Sequence, residues 1–170
     1  MATSVHPTMT ETEYWNRYKL INDEINLAIH SFYTWLGINK IISQDKDIHQ
    51  KLNSEALFWS TIKSSLQHTY FIVLGRIFDD DAKTGSIHKF LSSTVEHPEF
   101  FSKKALVNRR TSDNNGKTPE YITKQYLARL WEPTKKDLRK IEKMIRPSGN
   151  KFMKIYQPIR NKIYAHREEK

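Results

Sequence analysis

Hydrophobic residues recur every three or four positions along most of this chain, a spacing that predicts α-helices. The first such segment begins after Thr10, an N-cap candidate with Glu11 and Glu13 in the following turn. Its apolar positions continue to Leu36, and Gly37 favours a helix end there. No segment shows the strict two-residue alternation of a half-buried strand, so we expect no sheet.

The middle of the chain contains a second long helical pattern and a shorter one. The long pattern spans about residues 54–78 and stops at Asp79-Asp80-Asp81, because acidic side chains are unfavourable in the last turn of a helix. A short helix is expected at about residues 86–94. Between Pro98 and Pro119 the periodicity is lost, and the polar composition around Arg109 and Arg110 predicts an exposed loop.

Prolines divide the last third of the chain. Helical spacing returns from about Pro119 to Ile145, and Pro133 inside it predicts a kink near Trp131. The run Pro147-Ser148-Gly149-Asn150 predicts a break before a terminal helix at about residues 151–167, where Pro158 marks a kink or restart. Helices of this length joined by short breaks predict an all-α bundle of four to five helices.

The length of 170 residues fits one domain that can bury a core. We expect a flexible leader at residues 1–10 and a single helical domain at residues 11–170. Trp35, Trp59 and Trp131 are expected mostly in the core rather than on surfaces that stack on bases.

The net charge of the chain indicates an anionic partner. The chain has 28 lysines and arginines against 19 acidic residues, a net charge of +9. Nucleic acid is the first candidate partner, because basic side chains displace counterions from phosphates. The alternative is a solvated, lysine-rich helical surface.

Several classes of protein are excluded or disfavoured by the composition. The chain has no cysteine, which excludes disulfides, thiolate metal sites and cysteine nucleophiles. It shows neither a secretory signal pattern nor the run of ~20 apolar residues that a membrane span needs. We therefore expect a cytoplasmic protein.

The most reactive combination of residues lies near the C-terminus, where Arg160-Asn161 is followed by His166. Arginine can grip a phosphate with two donors, and histidine can move a proton near neutral pH. On one straight helix the two side chains would lie roughly 120° apart. Either Arg160 makes an ordinary ion pair and His166 is a half-buried structural residue, or two such helices meet across a dimer axis.

The segment from Ile159 to Arg167 resembles the signature of the HEPN superfamily, in which an arginine is followed by a polar residue and four to six residues in all separate the arginine from a histidine. A second resemblance lies at Tyr70–Asp79 and Ser86–Leu91, which is similar to the abortive-infection branch of that superfamily. The resemblance implies a HEPN-like bundle that forms a homodimer through the C-terminal helix. It also implies a metal-independent endoribonuclease of antiphage defence or of a toxin–antitoxin pair, with RNA as substrate and an antitoxin as a further candidate partner.

The resemblance also implies roles for individual residues. Arg160 would hold the phosphate, His166 would act as general acid or base and Asn161 would orient the groups. Flanking basic residues would contact substrate; these are Lys162, Arg167, Arg76, Arg109 and Arg110. We expect no cofactor and no resident metal, since Asp79-Asp80-Asp81 is typical of a solvated turn and the seven histidines have no ligand spacing. His30 and His68 are expected to be structural.

Two other functions stay open on the sequence alone. One is a catalytically silent HEPN-like module that binds nucleotide, RNA or a partner protein. The other is a structural helical interaction protein whose charge is incidental.

Overall fold

The computed structural model describes residues 9–79 and 86–159, apart from the side chain of Gln157. Over this part the chain is all-helical and contains no strand, which confirms the predicted fold class. The helices are α1 Glu11–Gln44, α2 Lys46–Ser54, α3 Ala56–Phe78, α4 Ile87–Glu96, a 3₁₀-helix at Pro98–Phe101, α5 Lys103–Asp113, α6 Lys124–Arg129 and α7 Lys135–Ile159.

Helix α1 begins after the predicted N-cap Thr10, which forms a capping box with Glu13. The Glu13 amide donates to Thr10 Oγ1 at 3.2 Å, and the Glu13 carboxylate accepts from the Thr10 amide at 2.8 Å. The helix does not end at Gly37, where one glycine costs about 1 kcal/mol and apolar residues continue beyond it. It ends at Asp45, whose side chain accepts from the amides of Asp47 and Ile48 and so caps α2.

Helices α1 and α3 form an antiparallel hairpin. Glu24 pairs with Arg76, and the Phe32 ring lies 5.5 Å from that of Tyr70, so residue numbers rise on one helix as they fall on the other. Helix α2 closes the far end. This hairpin is the frame on which the remaining helices pack.

The hydrophobic core lies at one end of the hairpin, which we call the packed end. Tyr14 is 2% exposed there, stacks on Phe90 with ring centroids 4.9 Å apart, and shares a 2.7 Å hydrogen bond with the Thr94 hydroxyl. Burial raises the pKa of the Tyr14 phenol. The other members of this core cluster are Ile21, Ala28, Val73, Ile77, Ile87, Phe90, Leu91 and Phe100.

The opposite end of the hairpin has no buried residue. We call residues 32–69 the outer arm, because none of them is buried and several large apolar side chains face solvent. Leu57 is 83% exposed and Phe58 is 58% exposed. Core packing therefore covers only half of the longest pair of helices.

The prediction of a loop after Pro98 is wrong over residues 103–113, because these residues form helix α5. The Ser102 side chain accepts from the Ala105 amide at 3.1 Å and starts the helix. The turn-forming residues act only at its end, where Asn115 and Gly116 adopt left-handed backbone at φ 52° and 79°. Because few apolar residues lie on α5, its sequence lacks the periodic signal of a helix.

The long helix predicted from Pro119 to Ile145 is also divided. Pro133 lacks an amide hydrogen and disfavours helix at the residue before it, so the chain breaks at residues 130–134 instead of only kinking. Thr134 and Asp137 then exchange hydrogen bonds at the start of α7, and the Thr134 hydroxyl donates to the Asp137 carboxylate at 2.6 Å.

The prediction of a break at residues 147–150 is wrong. Helix α7 continues through these residues. Gly149 is buried, and a Cβ added there would lie 2.3 Å from His88 Nε2. The glycine therefore permits close packing of α7 on α4 instead of ending the helix. The described residues contain seven α-helices, where four to five were expected. The additional helices are α2 and α5 and the one that results from the division of α6 from α7.

Candidate functional site

The predicted catalytic residues Arg160, Asn161 and His166 lie outside the described residues, as do Lys162 and Arg167. The structure does describe the helix that leads to them. Residue 160 follows Ile159, the last described residue of α7, directly in the sequence.

Two aromatic contacts hold the end of α7 against α3. Phe152 is 5% exposed and lies 5.3 Å from the Phe78 ring, and Tyr156 lies 6.2 Å from the Phe71 ring. Residue numbers rise along α7 as they fall along α3, so the two helices are antiparallel. The end of α7 is therefore directed from the packed end toward the outer arm.

A row of polar side chains lies further along α3 in that same direction. Helical spacing places these residues on one exposed face around an open depression; they are Ser60, Thr61, Ser64, Ser65 and His68. His68 Nδ1 is 2.7 Å from the Ser64 carbonyl, and since a carbonyl only accepts, Nδ1 carries the hydrogen. In the neutral ring Nε2 is then the accepting nitrogen.

Sequence reasoning missed this row. The helical pattern at residues 54–78 gave no role to Thr61 or Ser65, and His68 was expected to be structural. All three are exposed. The four-residue spacing of Ser60, Ser64 and His68 was the available signal of a polar face.

Arg76 is held by an acidic residue of α1. Its Nε and Nη2 lie 3.0 Å and 2.9 Å from the two carboxylate oxygens of Glu24, a bidentate pair. Arg76 thus ties α3 to α1, and a phosphate at this position would compete with the Glu24 carboxylate.

Arg109 is an internal clamp of the packed end. Its guanidinium pairs with Glu11, donates to the Phe100 carbonyl at 2.8 Å and lies 4.5 Å above the Trp15 ring. Arg110 is more exposed and lies 3.9 Å from Asp113. Both arginines lie on helix α5 instead of on the exposed loop that the sequence predicted there.

The structure does not bring Arg76 and Arg109 together. Their partners on α1, Glu24 and Glu11, are thirteen residues apart, a separation of roughly 20 Å along the helix axis. The described part of the chain therefore contains no single cluster of the arginines that sequence reasoning placed near substrate.

Residues 9–79 and 86–159 contain no group of three or more histidine or acidic side chains arranged to hold a metal ion. Asp79 is the C-cap of α3, whereas Asp80 and Asp81 lie outside the described residues. No described helix is long and apolar enough to cross a membrane.

Comparison with known proteins gives one match. The model of the AbiU2 family, a HEPN family, matches residues 11–170, a range that contains every described helix and the segment from Arg160 to His166. No curated protein and no solved structure matches the chain.

Proposed function

We propose, from the premise that the chain belongs to the AbiU2 family of HEPN proteins, that it is an endoribonuclease. Membership of this family associates the chain with abortive infection. The ribonuclease activity is our inference, and one observation carries it: a complete Arg160-Asn161-x4-His166 motif inside the matched range.

These residue types suit cleavage of RNA without a bound metal. The ribose 2′-oxygen attacks the adjacent phosphorus, the bond from phosphorus to the 5′-oxygen breaks, and a 2′,3′-cyclic phosphate and a 5′-hydroxyl remain. An imidazole such as that of His166 can take the 2′-proton or donate one to the departing 5′-oxygen. Arg160 can hold the phosphate oxygens as charge builds on them, with Asn161 orienting the reacting groups.

Two copies of the chain would supply one complete site. Arg160 and His166 are six residues apart in the sequence, and on a straight helix they would point roughly 120° apart. A symmetric dimer about the C-terminal helix would bring the arginine of one copy toward the histidine of the other.

The activity is tested with purified protein and single-stranded RNA in the presence of EDTA. We expect the wild type to leave 2′,3′-cyclic phosphate ends, detected by mass spectrometry, and His166→Ala to lose at least about a hundredfold in rate. His49→Ala is the matched control, because His49 is an exposed histidine on α2 whose side chain is hydrogen-bonded to that of Asn53 on the same helix. Cleavage that requires added metal, or that survives His166→Ala, would contradict the proposal.

The composite site has its own test. Arg160→Ala and His166→Ala proteins are mixed, unfolded together and refolded, so that heterodimers form. A shared site predicts recovery of about one quarter of wild-type activity, since half of the dimers then contain one intact site of two. No recovery would show that one subunit contains its whole site.

RNA binding without cleavage by the wild type would instead support the catalytically silent module.

A further inference from the structure

The net positive charge of this chain comes from its last third. Residues 1–116 contain thirteen lysines and arginines and thirteen acidic residues, so they are neutral. Residues 117–159 contain eleven basic residues against four acidic ones. The charge is therefore a property of α6 and α7, not of the helical surface in general.

The basic residues of helix α7 lie on one side of the helix. At 100° per residue, its eight lysines and arginines fall within an arc of roughly 160°, over a length of roughly 28 Å. These residues are Lys135, Lys136, Arg139, Lys140, Lys143, Arg146, Lys151 and Lys154, and we call this side the basic face. The opposite side carries Leu138, Gly149 and Phe152, all of which are buried.

Three of the four acidic residues at 117–159 already have partners, so most of the basic face is uncompensated. Asp137 binds Thr134, and Glu142 pairs with Arg146 at 2.8 Å. Glu132 accepts from the Lys103 amide. Within the described part of the chain, five members of the face make no ion pair; they are Lys136, Arg139, Lys143, Lys151 and Lys154.

Exposed aromatic rings precede the basic face. Trp131 is 69% exposed, which overturns its expected place in the core, and Tyr121 is 55% exposed. Trp131 is four residues before α7, within roughly 14 Å of Lys135 by chain length. Cationic side chains with accessible aromatic rings are the combination that binds single-stranded nucleic acid, by phosphate contacts and base stacking.

We infer that the basic face of α7, together with Trp131, binds single-stranded RNA and leads it toward the end of the helix. For its direction this inference rests on the proposed ribonuclease, since Lys154 precedes Arg160 by six residues. A membrane surface is disfavoured because an amphipathic helix must insert its apolar side, and on that side of α7 Gly149 and Phe152 are buried against α4 and α3.

Binding is measured apart from cleavage with a fluorescent 2′-O-methyl oligouridylate, which lacks the attacking hydroxyl. A quadruple variant replaces Lys136, Lys143, Lys151 and Lys154 with glutamine. We expect it to bind about tenfold or more weakly near physiological salt, and its dependence of log K on log salt to be shallower by roughly two to three. Trp131→Ala should weaken binding roughly fivefold or more without changing that slope.

A matched control separates the surface from net charge alone. Replacing Lys19, Lys40, Lys46 and Lys51, all exposed on α1 and α2, with glutamine removes the same charge elsewhere. We expect this variant to stay within about threefold of the wild type. Phe58→Ala, on the outer arm, is the control for Trp131→Ala.

Three results would overturn the inference: equal losses in the two lysine variants, an unchanged affinity of the α7 variant, or wild-type binding to polyglutamate but not to the oligonucleotide. The last would assign the face to an acidic protein. Wild-type cleavage with unchanged binding by the α7 variant would reject this inference alone. Binding that depends on the face, with no cleavage by the wild type, would reject the proposed function alone.

Discussion

The packed end and the outer arm of the α1–α3 hairpin share one sequence pattern but differ in burial. Both contain apolar residues at helical spacing, yet Tyr14 and Val73 are each 2% exposed whereas Leu57 is 83% exposed. The difference arises because α4, α7 and the 3₁₀-helix pack only at one end. Periodicity thus predicts a helix, and only the rest of the fold decides whether its apolar side is covered.

The largest expected effect comes from deleting an aromatic ring at each end. Phe90→Ala removes a buried ring that stacks on Tyr14 and should lower the free energy of unfolding by about 3–5 kcal/mol. Phe58→Ala, which removes a ring that is 58% exposed, should cost about 0.5 kcal/mol or less. Urea unfolding followed by circular dichroism measures both. Similar losses would mean that the outer arm is covered in solution.

Two glycines make a second pair. Gly149→Ala should destabilise the protein by about 1–3 kcal/mol, because the new methyl group would overlap His88. Gly37→Ala should instead stabilise it by about 0.5–1 kcal/mol, since Gly37 lies inside α1 with open space around it. Thermal unfolding of the two variants measures both changes in stability. If Gly149→Ala were neutral, the close contact of α7 with α4 would be absent.

Two tyrosine hydroxyls give a smaller contrast. Tyr14→Phe removes the hydrogen bond to Thr94 inside the core and should cost about 1 kcal/mol. Tyr33→Phe on the outer arm should change stability by less than about 0.3 kcal/mol, because that side chain is 64% exposed. Equal effects in chemical denaturation would remove the distinction between the two environments.

The smallest expected effect is on the stability of the protein at acidic pH. Hydrogen bonds from the Thr10 amide and hydroxyl hold the pKa of Glu13 below its ordinary value of 4.5. The ionised carboxylate therefore stabilises the folded state above pH 4.5, and this stabilisation is lost as the pH falls through the lower, folded-state pKa. Glu13→Gln should flatten the acid side of the stability profile slightly and leave neutral pH almost unchanged, since glutamine also completes a capping box.

Glu55→Gln is the outer-arm control for that variant, because the Glu55 side chain makes no capping hydrogen bond at the start of α3. Its pH profile should follow that of the wild type. A profile for Glu13→Gln that is identical to the wild type would contradict the role of the Thr10–Glu13 pair.

The sequence predicted the parts of the fold in which local signals agree. The N-cap at Thr10, the helix α3 and the short helix α4 were confirmed within a few residues. Helix α5 was missed because it has little apolar periodicity, and the continuity of α7 was missed because Gly149 serves packing instead of termination. Such roles depend on a residue far away in the chain and leave no local signal.

The family was also readable from the sequence, and the match over residues 11–170 confirms the HEPN resemblance and its abortive-infection branch. The contacts of Arg109 were not readable, because its partner Glu11 is 98 positions away in the chain. The exposed ring of Trp131 follows from the chain break at Pro133, which sequence reasoning had taken for a kink.

The close approach of Gly149 to His88 fixes the rotational phase of everything that follows on α7. One residue inserted between Gly149 and Phe152 would turn the rest of the helix by roughly 100° and advance it by roughly 1.5 Å. The rings of Phe152 and Tyr156 would then leave their places against Phe78 and Phe71. Substitutions in this segment can be absorbed one side chain at a time, but its length cannot vary, so any relative that preserves this contact should show no insertions or deletions there.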